Sequence, residues 1–219
     1  KVGTNIPLQR LTISCPMKCI ALSLVLIINS LTAFSGNDPD TNKVRPAANI
    51  VHYPQEKHLK NIKQLTFGGD NAEAYFSFDG KWIIFQKTNP KENIPCDQIY
   101  IARVPKTDKD KFEPKLVSTG KGRTTCAAFL KDGKHIVYAS THLGSSDCPP
   151  TPDRTKYGNK YIWPLYDSYD IFMADLNGKI VKQLTNTPGY DAEATISPDG
   201  KTMLFTSTRV GDLDLYTME

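Results

Sequence analysis

Three Asp-Gly dipeptides each stand between two short hydrophobic runs: AYFSFDGKWIIF around Asp79-Gly80, CAAFLKDGKHIVY around Asp132-Gly133 and ATISPDGKTMLF around Asp199-Gly200. A two-residue type I′ turn needs positive φ at its central residues, which costs Gly nothing and Asp little, so each dipeptide predicts a tight hairpin. The flanks agree: Tyr75, Phe76, Phe78, Trp82, Ile83, Ile84 and Phe85 surround the first turn, and Ala192, Thr195, Ile196, Met203, Leu204 and Phe205 the third. Such runs read as strands buried on both faces. A hairpin recurring every several dozen residues limits the chain to one supersecondary unit used several times.

Each hairpin is followed by a third strand of similar texture, at 98–104 (QIYIARV), 170–176 (DIFMADL) and 214–218 (DLYTM). A fourth follows in the first two copies, at 115–118 and 179–184, the latter after the turn Asn177-Gly178. Four antiparallel strands per repeat predict an all-β chain built as a partial β-propeller, since a sandwich shows no self-similarity on that scale. The segment 61–66 (NIKQLT) matches VKQLT at 181–185 but precedes the first hairpin. It is expected to be a lone fourth strand, placed to complete the blade begun by the other terminus and so remove the sheet edges of a ring.

The stretch YDIFMADLNG at 169–178, then QLT at 183–185, AEA at 192–194, SPDGK at 197–201 and FTSTR at 205–209, resembles the repeat of TolB-type propellers (the WD-like PD40 repeat). That repeat occurs in periplasmic TolB and in propeller domains of several serine peptidases. The resemblance covers roughly residues 61 to 219 and is strongest at the SPDGK hairpin. Phe78 and Lys131 stand where the family usually has Pro, which leaves the hairpin chemistry intact.

The propeller is assigned to 60–219, with blade one at 66–118, blade two at 123–185 and blade three, truncated, at 191–219. At roughly 40–45 residues per blade, a six-bladed ring needs about 250 residues against about 160 here, so the chain is expected to be a fragment of about three blades. Upstream, Met17-Lys18, the apolar run CIALSLVLII and Ala33-Phe34-Ser35 give a basic start, a short apolar core and a small-residue cleavage site. Residues 17–35 are therefore expected to be a signal peptide, placing the protein in the periplasm or outside the cell. The run is shorter and more interrupted than a spanning helix, so no stable membrane span is expected after cleavage; the alternative is an uncleaved anchor. Residues 1–16 read as upstream translation or disorder. The polar, Pro-bearing 36–59 reads as a linker.

The chain carries 27 basic and 23 acidic residues. Lys1, Arg10 and Lys18 lie in residues 1–35, which hold no acid, so the remainder is nearly neutral. Nothing there forms the basic footprint of a nucleic-acid binder, and the lysines of 105–111 alternate with acids as in a solvated loop.

Alternating strand directions put the Asp-Gly turns on one face and the second-to-third and fourth-to-first connections on the other. That second face holds the unusual residues. The longest insertion runs from Thr141 to Ser168, with four prolines and the aromatics Tyr157, Tyr161, Trp163 and Tyr166. A loop this long and this apolar is expected to pack, either over its own blade or against a partner. The fourth-to-first loops bring Asp70, Glu73, Arg123, Asp191 and Glu193 to the mouth of the channel, because first strands are innermost. Alternating acid and base there suits a peptide terminus, or mutual pairing that locks blades together. Cys96, Cys126 and Cys148 map to the same rim, where export permits a disulfide among them; spacing does not say which pair forms. No CxxC or paired His accompanies them, so no metal and no cofactor is expected. His142, beside the insertion, is a contact candidate.

The sequence has no GxSxG elbow, HExxH helix or phosphate-cradling loop. Together with the resemblance, this predicts a non-catalytic extracytoplasmic propeller that binds protein or peptide in the cell envelope through Asp70, Glu73, Arg123, His142, Trp163, Tyr166, Asp191 and Glu193. The alternative is the N-terminal part of a propeller gating a downstream serine peptidase or other hydrolase domain.

Overall fold

The computed structural model describes residue 53 and residues 55–219, all within the unit Asp38–Glu219. The signal peptide, the upstream segment and most of the linker lie outside the described residues. Three antiparallel sheets follow in chain order. The first runs β1 (Asp70–Phe76), β2 (Trp82–Asn89), β3 (Ile94–Arg103), β4 (Lys115–Leu116); the second β5 (Thr124–Phe129), β6 (His135–Ser140), β7 (Asp170–Asp175), β8 (Ile180–Gln183); the third β9 (Asp191–Ile196), β10 (Met203–Ser207), β11 (Asp214–Met218). Strands pair strictly with their sequence neighbours. Each sheet is thus a meander, as propeller blades are.

The hydrophobic runs around the turns are nearly continuous because alternate residues serve different interfaces. In β6, Ile136 and Tyr138 join Ile84, Ile99, Ile101 and Val117 of the first sheet, while Val137 and Ala139 join Tyr190, Ala192, Met203 and Phe205 of the third. β7 divides likewise, Phe172 and Ala174 one way and Ile171 the other. A period of two with both faces apolar needs neighbours on both sides, and the central sheet has them. At about 1.5–3 kcal/mol per fully buried large aliphatic or aromatic side chain, these two layers dominate the cohesion of the fold.

The expectation of two-sided burial fails at the inner strand of the first sheet. Tyr75, Phe76 and Phe78 are 49%, 66% and 45% exposed, because among the described residues no sheet packs beyond β1. The segment 61–66 does not form the expected fourth strand; only Gln64 makes a single bridge. Among the described residues β3 and β7 already carry β4 and β8, and β11, the third strand with a free outer edge, pairs with β10 alone. Leu65 instead packs with Phe85, Ala102 and Phe112 on the outward face of the first sheet.

The Asp-Gly turns are also longer than the sequence predicts. Ser77 N donates to Trp82 O at 2.9 Å and Gly80 N to Ser77 O at 2.8 Å; Leu130–His135 and Ser197–Thr202 repeat that pattern. Four residues therefore separate the strands, and only the glycine takes positive φ (+67°, +66°, +78°). The Asp earns its place by capping: Asp79, Asp132 and Asp199 each accept from the backbone N–H two residues on. A short carboxylate reaching forward in this way is the Asx turn, which does not require positive φ at Asp.

Gly122, just ahead of β5, passes tightly against the residues that follow β6 of the same sheet. Its φ is +60°, and a Cβ there would lie 2.7 Å from Thr141 Oγ1 and 2.8 Å from His142 N. Gly133 has a similar φ of +66° with nothing within 4 Å. Gly122→Ala is expected to lower unfolding free energy by more than about 2 kcal/mol, and Gly133→Ala by only the roughly 1–2 kcal/mol of the left-handed backbone. Urea denaturation of the two variants measures the difference.

Candidate functional site

The inner strands β1, β5 and β9 carry the same irregularity. Each ladder slips where a non-glycine residue takes positive φ: Glu73 at +50°, Cys126 at +36° and Glu193 at +60°. All three stand at the same offset ahead of their turn glycines, Gly80, Gly133 and Gly200. A bulge re-aims one side chain out of the pleat. Here it turns the three toward one another: Cys126 Sγ donates to Glu193 Oε2 at 2.9 Å and lies 3.9 Å from Glu73 Oε2. Tyr190 donates to Glu193 Oε1 at 2.9 Å, and Tyr75 to Glu73 Oε2 at 2.7 Å.

These carboxylates border a cavity of about 440 Å³. Glu73, Cys126 and Glu193 line it from the inner strands, and Arg123 and Asp97 from the junction of the first two sheets. The insertion supplies the opposite wall with Tyr161, Trp163 and Tyr166, and Tyr169 and Tyr190 lie between. The rings form a chain of contacts: Trp163 meets Tyr190 edge-on at 6.1 Å, Tyr190 meets Tyr169 at 5.4 Å, and Tyr169 meets Tyr166 at 6.1 Å. Tyr166 also donates to Pro150 O at 2.9 Å. The insertion is therefore packed, against both its own blade and the first residues of the next, while Trp163 stays 49% exposed.

Burial first, then hydrogen bonding to Glu193, pushes the Cys126 thiol well above its ordinary range, so it is a neutral donor. Burial and the charge of Glu193 do the same to Tyr190, and burial to Tyr169. Tyr75 is pushed up to about 12, chiefly by its hydrogen bond to Glu73.

Arg123 is committed elsewhere. Its guanidinium donates to Asp97 Oδ2 at 2.8 Å, and Asp97 Oδ1 accepts from Thr88 at 2.6 Å, a link from the second sheet to the first. Gln98 strengthens the same seam by donating to Gly122 O at 2.7 Å. Asp191 pairs with Arg209 at 3.2 Å within the third sheet and is 1% exposed. Asp70 is exposed at the start of β1, opposite Thr88, away from the cavity. His142 rests on the Phe172 ring at 4.5 Å with Nδ1 2.9 Å from Ser140 Oγ. Of the eight contact candidates, five share the cavity (Glu73, Arg123, Trp163, Tyr166 and Glu193), and Asp70, His142 and Asp191 do not line it.

Cys96 and Cys148 are joined by a disulfide, and Cys126 is free. The bridge ties β3 of the first sheet to the insertion of the second. Asp97 and the tyrosine pair Tyr169 and Tyr190 escaped the sequence reading. Asp97 lies within a strand beside Cys96, and only the approach of the next sheet gives it a basic partner. The repeated AEA of 72–74 and 192–194 was the available signal for the bulge. Among the described residues, no group of three or more His, Cys, Asp or Glu is placed to hold a metal ion.

Three face-packed meanders with bulged inner strands around an axial cavity define β-propeller blades. No family model matches the sequence. Among solved structures, TolB from Acinetobacter baumannii is similar, with a TM-score of 0.51 and 22% identity over 73% of this chain and 33% of that one. A puromycin-hydrolyzing peptidase of Mycobacterium tuberculosis matches with a TM-score of 0.44 and 12% identity over 71% of this chain and 21% of that one. An acylaminoacyl peptidase of Pyrococcus horikoshii matches with a TM-score of 0.43 and 14% identity over 73% and 25%. The likeness to TolB is one of fold, and the chain spans about a third of TolB's length.

Two outcomes follow from the site's construction. Replacing Cys96 and Cys148 together by Ser, which reopens a loop of 52 residues in the unfolded chain, is expected to cost roughly 2–4 kcal/mol. Denaturation with and without reductant checks it, and the double variant should no longer respond to reductant. Burial, aided by Lys121, pulls His142 below its ordinary 6.5. The unfolded chain then takes up the proton first, so this contribution to stability is whole above that value and lost as pH falls through the folded one. Between about pH 7.5 and about pH 5.5, thermal melts of the wild type should lose more than those of His142→Gln.

Proposed function

We propose that this chain is a non-catalytic binding module acting outside the cytoplasm, and that its axial cavity receives a segment of a protein or peptide partner in the cell envelope. The observation that carries this reading is the cavity itself. Aromatic rings from a disulfide-anchored insertion face polar side chains projected by three successive blades, and half-exposed aromatic anchors beside fixed polar groups are the usual composition of a recognition hot spot. Rigid rings also lose little entropy on binding. The fold shared with TolB supports an envelope setting. Among the described residues no helix is long and apolar enough to cross a membrane. Blade boundaries at 66–118, 123–185 and 191–219, with a signal peptide at 17–35, belong to the same proposal.

Trp163 is the residue to test. Its ring is half exposed and its removal leaves Tyr169 and Tyr190 packed, so Trp163→Ala is expected to leave the melting temperature nearly unchanged. Affinity for a partner recovered from envelope extract should fall by about tenfold or more, measured by titration of the purified partner. Unchanged affinity in both Trp163→Ala and Tyr166→Ala would remove the cavity from the binding surface. Cleavage of the bound partner would favour the gating arrangement instead.

A further inference from the structure

The charges lining the cavity do not balance where the inner strands meet. Arg123 is neutralised by Asp97 at 2.8 Å. Arg154 belongs to the outer lip, stacked at 5.4 Å on Tyr161, which is 80% exposed, so solvent screens it. Glu73 and Glu193 remain. Among the described residues their carboxylates accept only from neutral donors, the Tyr75 and Tyr190 hydroxyls and the Cys126 thiol. No Lys, Arg or His forms an ion pair with either one among those residues.

Two carboxylates that converge on one thiol and meet no cationic side chain among the described residues attract an incoming cation. Each retains further lone pairs to accept from one, since an ionised carboxylate offers about four acceptor positions. The rest of the cavity matches the same guest. Tyr190 and Tyr169 are buried and held edge to face at 5.4 Å, and the half-exposed Trp163, 6.1 Å from Tyr190, is the ring open to the guest. Electron-rich ring faces attract ammonium and guanidinium groups.

Resting on the reading that the cavity binds peptide, we infer that its inner end is a cation subsite: Glu73 and Glu193 take a protonated amine or guanidinium of the bound segment, with Tyr190 and Trp163 beside it. The cation comes from the segment's amino terminus or from a Lys or Arg side chain. The three bulges are what aim the subsite. Without a left-handed residue at 73 and 193, the pleat would turn both carboxylates along the sheet faces and away from Cys126.

Isothermal titration of the purified protein with four short C-terminally amidated peptides tests this. One has a free amino terminus and neutral side chains (Ala-Ala-Phe-Ala). The other three are N-acetylated, with Lys, norleucine or Glu at the second position. A free-amine or Lys peptide binding about tenfold tighter than the norleucine peptide is expected, and which of the two gains identifies the source of the cation. That gain should shrink in Glu73→Gln, whose side chain is exposed and whose fold is checked by its melt, and vanish in the Glu73→Gln, Glu193→Gln double variant. Raising sodium chloride from about 50 to about 500 mM should weaken it too. Equal binding of the charged and norleucine peptides, preference for the Glu peptide, or a cation preference that survives the double variant overturns the subsite and leaves a peptide-binding cavity standing. Binding of none of the four overturns the cavity reading along with it.

Discussion

Every other feature of this molecule depends on the apolar layer between adjacent blades. A four-stranded meander standing alone has two greasy faces and cannot bury either. β6 and β7 solve this only because Ile136, Tyr138 and Phe172 point one way and Val137, Ala139 and Ile171 the other, each set meeting the facing side of another sheet. The packing is non-directional and fixes distance more than register. It leaves the exact rotation of one blade on the next to polar contacts at the seam.

Those contacts concentrate at one end of the interface. Arg123 reaches across to Asp97, Gln98 to the carbonyl of Gly122, and the Thr124 hydroxyl to the carbonyl of Asp97. A partly buried charge-assisted pair such as Arg123–Asp97 holds position far better than apolar contact does, since its energy falls off with angle as well as distance. The Cys96–Cys148 bridge then fastens the long insertion to the same seam, so the aromatic wall of the cavity is referenced to two blades instead of hanging from one. Preorganisation of this kind keeps a cavity open without ligand, because the walls have already lost their conformational freedom.

Strain is placed with equal economy. Positive φ at Glu73, Cys126 and Glu193 is uncommon for residues with a Cβ. It persists because ladder bonds on both sides of each bulge, and the donors around each side chain, hold it. Backbone conformations of this sort cluster where side-chain direction matters more than strand regularity.

The amino-acid order alone determined the repeat, the all-β class and, outside the inner strand of the first sheet, which runs pack inside, because the period of two and the Asp-Gly punctuation are local properties that each segment carries with it. It also pointed to the rim that holds Glu73, Arg123, Trp163, Tyr166 and Glu193, since strand polarity in a meander follows directly from counting turns. Only the tertiary structure decided that the turns hold four residues, that Leu65 of 61–66 packs on the face of the first sheet away from the second, that Cys96 takes Cys148 and leaves Cys126 to Glu193, and that Arg123 pairs with Asp97 while Glu73 and Glu193 meet no cationic side chain among the described residues. Those outcomes depend on which side chains from different blades arrive within about 3 Å of each other, and separations on that scale are set by the packing of whole sheets, which no single stretch of sequence encodes.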